Sequence, residues 1–207
     1  MAMLISLTLG YSVKQYTMNV TSFDGVDLQV RVAVPQDVAS ASFPAIVMAN
    51  SWAVPNIEYV GAQERWGAAG YVVLEYEARG WYSSGGVVGL GSQADLKDMS
   101  CMLDLLEKNA DAWHVDTSRF GSAGISYGAG LAVLGAAHDA RLKTAVSMSG
   151  WGNLTTAFFH GDAPHRVWAK LLIDSGKAVR DPRSCSPLRS RHTSALYDAT
   201  SARAAPV

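Results

Sequence analysis

The chain has 207 residues, 49% hydrophobic and 17% charged, with 17 Lys and Arg against 18 Asp and Glu and a formal charge of −1. That length suits one domain, or one domain with a fragment of a second, and so apolar a composition rules out wholesale disorder. A near-neutral chain without a basic block lacks the electrostatic footprint of nucleic-acid binding, and its two cysteines, Cys101 and Cys185, make neither a disulfide framework nor a four-ligand zinc site.

The opening run, Met1 to Gly10, is apolar but short, with no Lys or Arg ahead of it. It reads as a start-site extension or a first strand, with a secretory signal as the alternative. Lack of a clear signal makes a cytoplasmic location the expectation. No stretch approaches the length of apolar chain that a membrane span needs, so none is expected. Tyr16–Thr21 and Leu28–Val34 alternate like strands, and Phe23-Asp-Gly-Val26 between them carries turn chemistry. Pro44–Ala49 is a continuous apolar run, expected as a strand buried on both faces. Ile57–Gly70 has helical spacing with Gly70 as its stop. Tyr71–Leu74 reads as another buried strand, and Ala78–Gly91 as a loop rich in Gly and Ser. Asp95–Asn109 is amphipathic, with Leu96, Met99, Met102, Leu103 and Leu106 inward. A strand over Arg119–Ile125, a helix over Tyr127–His138 and a strand over Leu142–Met148 follow. A hairpin followed by alternating strands and helices predicts an α/β fold with a mostly parallel sheet and helices on both faces.

After Gly150 the periodicity weakens. One helix is expected within Phe158–Ile173, and none from Lys177 onward, where Arg is scattered among Ser, Thr, Ala and Pro. The domain reading is therefore a core over residues 15–150, the start of a helical cap over 151–176, and an irregular or disordered tail over 177–207. A frame error or a truncated gene accounts for that tail equally well, because the sheet is unfinished where the tail begins.

The motif that carries chemistry is Gly124-Ile-Ser-Tyr-Gly128, a Gly-x-Ser-x-Gly between a predicted strand and a predicted helix. A serine on so tight a turn takes strained backbone angles, and flanking glycines let the chain pass. The turn lifts the hydroxyl clear of the sheet and points the free N–H groups of the helix's first turn at a substrate oxygen. The competing reading is a small-residue crossover of a nucleotide-binding sheet. Neither a Gly-x-Gly-x-x-Gly in the first strand–helix unit nor a Gly-Lys-Ser/Thr supports it.

With this motif the chain resembles the α/β-hydrolase superfamily. Within it, the chain is most similar to the branch of X-Pro dipeptidyl-peptidases and cocaine-esterase-type acyl hydrolases (the S15 type). Phe23–Val26, Pro44–Trp52, Gly70–Leu74, Ala78-Arg-Gly-Trp-Tyr-Ser-Ser-Gly-Gly86, Ala123–Gly128, Asp139–Lys143 and Ser147–Trp151 carry the likeness. The resemblance implies a serine hydrolase acting on a small-molecule ester or a peptide, with no cofactor and no metal. It assigns Ser126 as the nucleophile that forms an acyl-enzyme, and the backbone N–H of Tyr127 as one oxyanion donor. The branch takes its second donor from a Tyr hydroxyl in an Asn-x-Tyr setting. Here the stretch is Asn50-Ser-Trp52, so Trp52 is expected to donate through its side chain or its backbone, unless it only walls the acyl pocket. Arg79 is expected to brace loops beneath the site, with Glu77 where the branch has Asp.

The same resemblance places the acid and base later than this chain extends, so the usual Asp and His are expected to be missing. Ser126, Asp181 and His192 resemble the compact spacing of cutinase-like enzymes, but no apolar run between Asp174 and His192 supplies the strands that would hold such a triad. His114 reads as an exposed loop residue and His138 as a cation at a helix terminus, while His160 and His165, at the start of the cap, could reach the pocket. A hydrolase-fold protein without catalysis, or a remnant lacking its partners, therefore stands as the alternative. Oligomeric state is not legible.

Overall fold

The computed structural model describes residues 10–36, 41–161 and 163–179. Two antiparallel strands open the chain, β1 (Val13–Thr21) and β2 (Asp27–Pro35). Gly25 takes a φ of 82° in the turn between them, as the Asp-Gly signal predicts. The next strands are β3 (Phe43–Ala49) and β4 (Val72–Tyr76), joined through helix α1 (Val60–Ala68). That helix is shorter than its periodicity suggested, because turns over residues 52–59 precede it. Gly70, at φ 91°, ends it as expected. β4 runs two residues past the predicted Leu74, with Glu75 and Tyr76 both buried in the sheet.

Helix α2 (Gln93–Lys108) follows, started by a Ser92–Asp95 capping box. The inward residues Leu96, Met99, Met102, Leu103 and Leu106 are all buried. A one-turn helix α3 (Ala110–Trp113) ends at His114, which takes the left-handed conformation. Strand β5 (Val115–Ile125), helix α4 (Tyr127–His138) and strand β6 (Leu142–Met148) complete the core. The six strands form one sheet in the order β1-β2-β4-β3-β5-β6, with β3, β4, β5 and β6 mutually parallel and β2 antiparallel to β4. The main apolar core joins the sheet to α2 and α4, and a smaller cluster of Ala33, Met48, Tyr59, Val73 and Ala123 lies on the α1 side.

The single helix expected over Phe158–Ile173 is broken. Asn153 caps a short helix α5 (Leu154–Phe158) by accepting from the Thr156 N–H. The two-residue strands β7 (Phe159–His160) and β8 (Ala163–Pro164) form a small hairpin, with Gly161 at φ 55°. Helix α6 (Arg166–Ala178) comes after it. Gly161 and Pro164 explain the break, since neither sustains a helix. α6 also passes the predicted start of the irregular tail at 177. The rest of that tail, and the predicted first strand within residues 1–9, lie outside the described residues. Among the described residues no helix is long and apolar enough to cross a membrane.

Candidate active site

β3 hands its crossover to β4 on one side, and β5 hands its crossover to β6 on the other. A doubly wound sheet opens a crevice where strand order reverses, outside the carboxyl ends of the two strands. Asn50-Ser51-Trp52 follows β3 there, and Ser126 follows β5. The sequence motif and the topology thus converge on one place.

Ser126 has φ 53° and ψ −114°, well away from ordinary strand or helix geometry. The glycines of the motif have steric reasons. A Cβ on Gly124 would stand 2.4 Å from the Gly128 carbonyl carbon, and one on Gly128 would stand 2.2 Å from the Ala49 carbonyl oxygen. Both gaps are closed to any side chain, so β5, α4 and β3 meet here only because these positions carry none. Ser126 is half-buried and lines a cavity of about 180 Å³ with Trp52, Leu90, Trp151, Phe158, Trp168 and Leu172 among its walls. Leu90 (φ 57°) and Ser149 (φ 56°), both on its lining, are also left-handed, so backbone strain gathers around this cavity.

Tyr127 begins α4, and its backbone N–H has no acceptor inside the helix. Its side chain is buried, with the hydroxyl 3.4 Å from Asp95 Oδ1 and the ring edge-on to Trp52 at 5.6 Å. Burial, helped by the Asp95 charge, holds that phenol well above its usual range, so the ring serves as a neutral wall. Trp52 faces the same cavity, but its indole N–H donates to the Leu172 carbonyl at 2.8 Å. In this arrangement the indole proton is engaged by α6, which leaves the backbone N–H of Trp52, or a wall role, for the second donor position. Trp81 lies behind the wall, stacked edge-on to Trp52 at 4.7 Å, and the Tyr82 hydroxyl donates to the Ala53 carbonyl.

Arg79 braces as expected. Its guanidinium grips Asp98 through two bonds of 2.7 Å and reaches Asp24 at 2.9 Å, while the Ser22 hydroxyl donates to Asp98. The hydrogen bonds from Arg79 draw the Asp24 carboxyl below its ordinary range. This network ties the β1–β2 turn to α2. Glu77, which stands where the resembling branch has Asp, accepts from the Ser83 and Asn56 N–H groups and so fixes two loops.

Among the described residues no imidazole lines the cavity with Ser126, and no group of three or more His, Cys, Asp or Glu is arranged to hold a metal ion. His160 and His165 stand near each other across the small hairpin, with ring centroids 6.4 Å apart. Asp181 and His192 lie outside the described residues. Sequence reasoning missed the walls supplied by Trp151, Leu154, Phe158 and Trp168, although aromatic residues recur through that segment.

The family model described as X-Pro dipeptidyl-peptidase (S15 family) matches residues 24–204. No curated protein matches the chain. Among solved structures, a hypothetical protein from Pseudomonas aeruginosa is similar with a TM-score of 0.64 at 19% identity, over 80% of this chain and 53% of its own. A CocE/NonD family hydrolase from Staphylococcus aureus gives 0.62 at 18% identity, over 81% of this chain and 34% of its own. Acetyl xylan esterase 1 from Thermoanaerobacterium sp. gives 0.54 at 20% identity, over 89% and 61%. These likenesses establish the α/β-hydrolase fold. The chain spans about half the length of the first of these structures.

Proposed function

Because the chain belongs to the X-Pro dipeptidyl-peptidase family (S15), we propose that it is a serine hydrolase cleaving an ester or amide through an acyl-enzyme on Ser126. One observation carries the reading: a strained serine at a strand–helix junction faces an apolar cavity beside the open N-terminus of α4. The Ser126 oxygen attacks the carbonyl carbon, its proton passes to a base, and the carbonyl oxygen becomes an oxyanion. The N–H of Tyr127 receives that oxyanion together with a donor from Trp52. The leaving alcohol or amine departs with a proton, and water then releases the acid.

In the same reading, residues 15–150 are the hydrolase core and residues 151–176 begin a cap over it. The cavity favours a small neutral acyl group. Its described lining is dominated by Trp, Leu and Phe and holds no carboxylate that would bind the free amine of a peptide N-terminus. Short acyl esters are therefore the preferred substrates, ahead of X-Pro peptides.

A second reading, a protein that keeps the pocket without turnover, fits a described cavity lining that holds no imidazole and no carboxylate. A fluorophosphonate probe with peptide mapping separates the two. The first reading expects one adduct, on Ser126, abolished in Ser126→Ala, together with hydrolysis of p-nitrophenyl acetate. A folded chain that binds short esters but gives neither adduct nor turnover establishes the second.

A further inference from the structure

The strand that leads to Ser126 outruns its neighbour. β3 stops at Ala49, level with the stretch of β5 just past Ala123, and β5 continues to Ile125. The Ile125 N–H and carbonyl both point to the side where β3 has ended, so the ladder cannot pair them. Side chains from the segment after β3 take the place of the missing strand. The Ile125 N–H donates to the Tyr59 hydroxyl at 3.0 Å, and Ser51 Oγ lies 3.0 Å from the Ile125 carbonyl oxygen. Glu58 holds Ser51 in turn, accepting from its N–H at 2.8 Å and from its hydroxyl at 2.6 Å. The hydroxyl has a single proton, so it serves Glu58 or Ile125 at a given moment. On the opposite side of the strand end, the Ser126 N–H donates to the Met148 carbonyl at 2.9 Å. Tyr59 and Ser51 are both buried.

A non-glycine residue at φ 53°, ψ −114° persists only where its surroundings over-determine it. Here the peptide before it is gripped from one side and the residue itself from the other. We infer that Tyr59, Ser51 and Glu58 are positioning residues that fix the Ile125 peptide and thereby aim the Ser126 hydroxyl into the cavity. This rests on the nucleophile reading of Ser126. None of the three lines the cavity. A purely structural role, satisfying the end of the sheet, would change stability and leave the reactivity of each folded molecule untouched.

The test compares the full chain with Tyr59→Phe, which keeps the ring and deletes the acceptor. Saturation kinetics of fluorophosphonate labelling at Ser126 should show the limiting rate falling about tenfold or more, with the half-saturating probe concentration unchanged within about twofold. Amide hydrogen exchange at Ile125 should speed up by a similar factor, while exchange at Val146 on β6 stays as it was. Glu58→Gln, whose amide oxygen still accepts from the Ser51 N–H, should lose less. If Tyr59→Phe does not fold, Ser51→Ala provides the same two measurements. An unchanged limiting rate in a folded variant overturns the inference and leaves the nucleophile reading standing. If the unsubstituted chain does not label, the nucleophile reading falls instead; the exchange arm then judges the brace, and an Ile125 amide no faster in the variant overturns it as well.

Discussion

Glu75 is a carboxylic acid inside a sheet. It is fully buried in β4, opposite Arg31 on β2 and Met48 on β3, and neither of its oxygens has a hydrogen-bond partner of ordinary geometry. Removal from water pushes the carboxyl from an ordinary 4.5 up to about 8; Glu58 and Glu77 push the same way, and Arg31 opposes them. Between those two values the folded chain holds a proton that the unfolded chain has released. Stability therefore falls as pH rises through the window and levels off above about 8. The loss has an upper bound of about 5 kcal/mol. Asp139, whose carboxyl Arg141 holds far below its usual range, acts with the opposite sign, losing its contribution in acid below that window. Urea unfolding should show a lower midpoint at pH 8 than at pH 5 for the unsubstituted chain, and a much smaller difference for Glu75→Gln. Equal differences in the two proteins would show that Glu75 stays ionised in the fold. The residue also marks a limit of sequence reading. A charged side chain argues against a buried strand, so the expected strand stopped at Leu74, whereas the ladders to β2 and β3 carry it through to Tyr76.

Among the elements, those with regular periodicity were legible. α4 and β6 have the expected bounds. The small-residue apolar helix α4 buries its run from Tyr127 to Ala132, whereas β6 keeps a strand's alternation although only Leu142 of it is buried. The strand–helix junction at Ser126 was legible for a related reason, since its glycines are demanded by backbone atoms close by in the chain. The cover over the pocket was not. α6 is fastened to the core by a bond between Trp52 and Leu172, 120 positions apart, and by the close approach of Gly176, whose added Cβ would stand 3.3 Å from the Trp52 ring. No local pattern announces such a pairing. Only Ala169 and Ile173 of α6 are buried, while Val167, Trp168 and Leu171 are largely exposed, so the helix has little other anchorage. Trp52→Phe removes the N–H donor along with the five-membered ring of the indole, so the loss is at least the ~1 kcal/mol of a typical hydrogen bond. Hydrogen exchange should accelerate roughly fivefold across α6 and stay unchanged in α4. Acceleration spread evenly over both helices would mean that the bond supports the core and not the cover.

For the molecule as a whole, the strand order among the described residues leaves the sheet with two edges, β1 and β6. β1 pairs only with β2, its hairpin partner, and β6 pairs only with β5. The β6 edge is the one that adjoins an apolar hollow. Its side chains are also poorly covered: Val146 is 53% and Met148 40% exposed. With Ile46, Trp66, Phe120 and Ala123 they line an apolar hollow of about 380 Å³ on the α1 side of the sheet. Unpaired strand groups beside apolar surface form a template for another strand, and Lys143 is the one charge on the edge strand that works against it. The chain should therefore associate with itself as its concentration rises, and should bind a hydrophobic dye in the folded state. Val146→Lys places a charge in the middle of the edge, on a side chain already half in water, so its cost to folding is small. Sedimentation should find the variant monomeric at concentrations where the unsubstituted chain forms larger species, with thermal midpoints within a few degrees of each other. Dye fluorescence should fall alongside. If the variant associates just as readily, contact is made elsewhere on the surface, and the open edge is protected by its own twist and by Lys143.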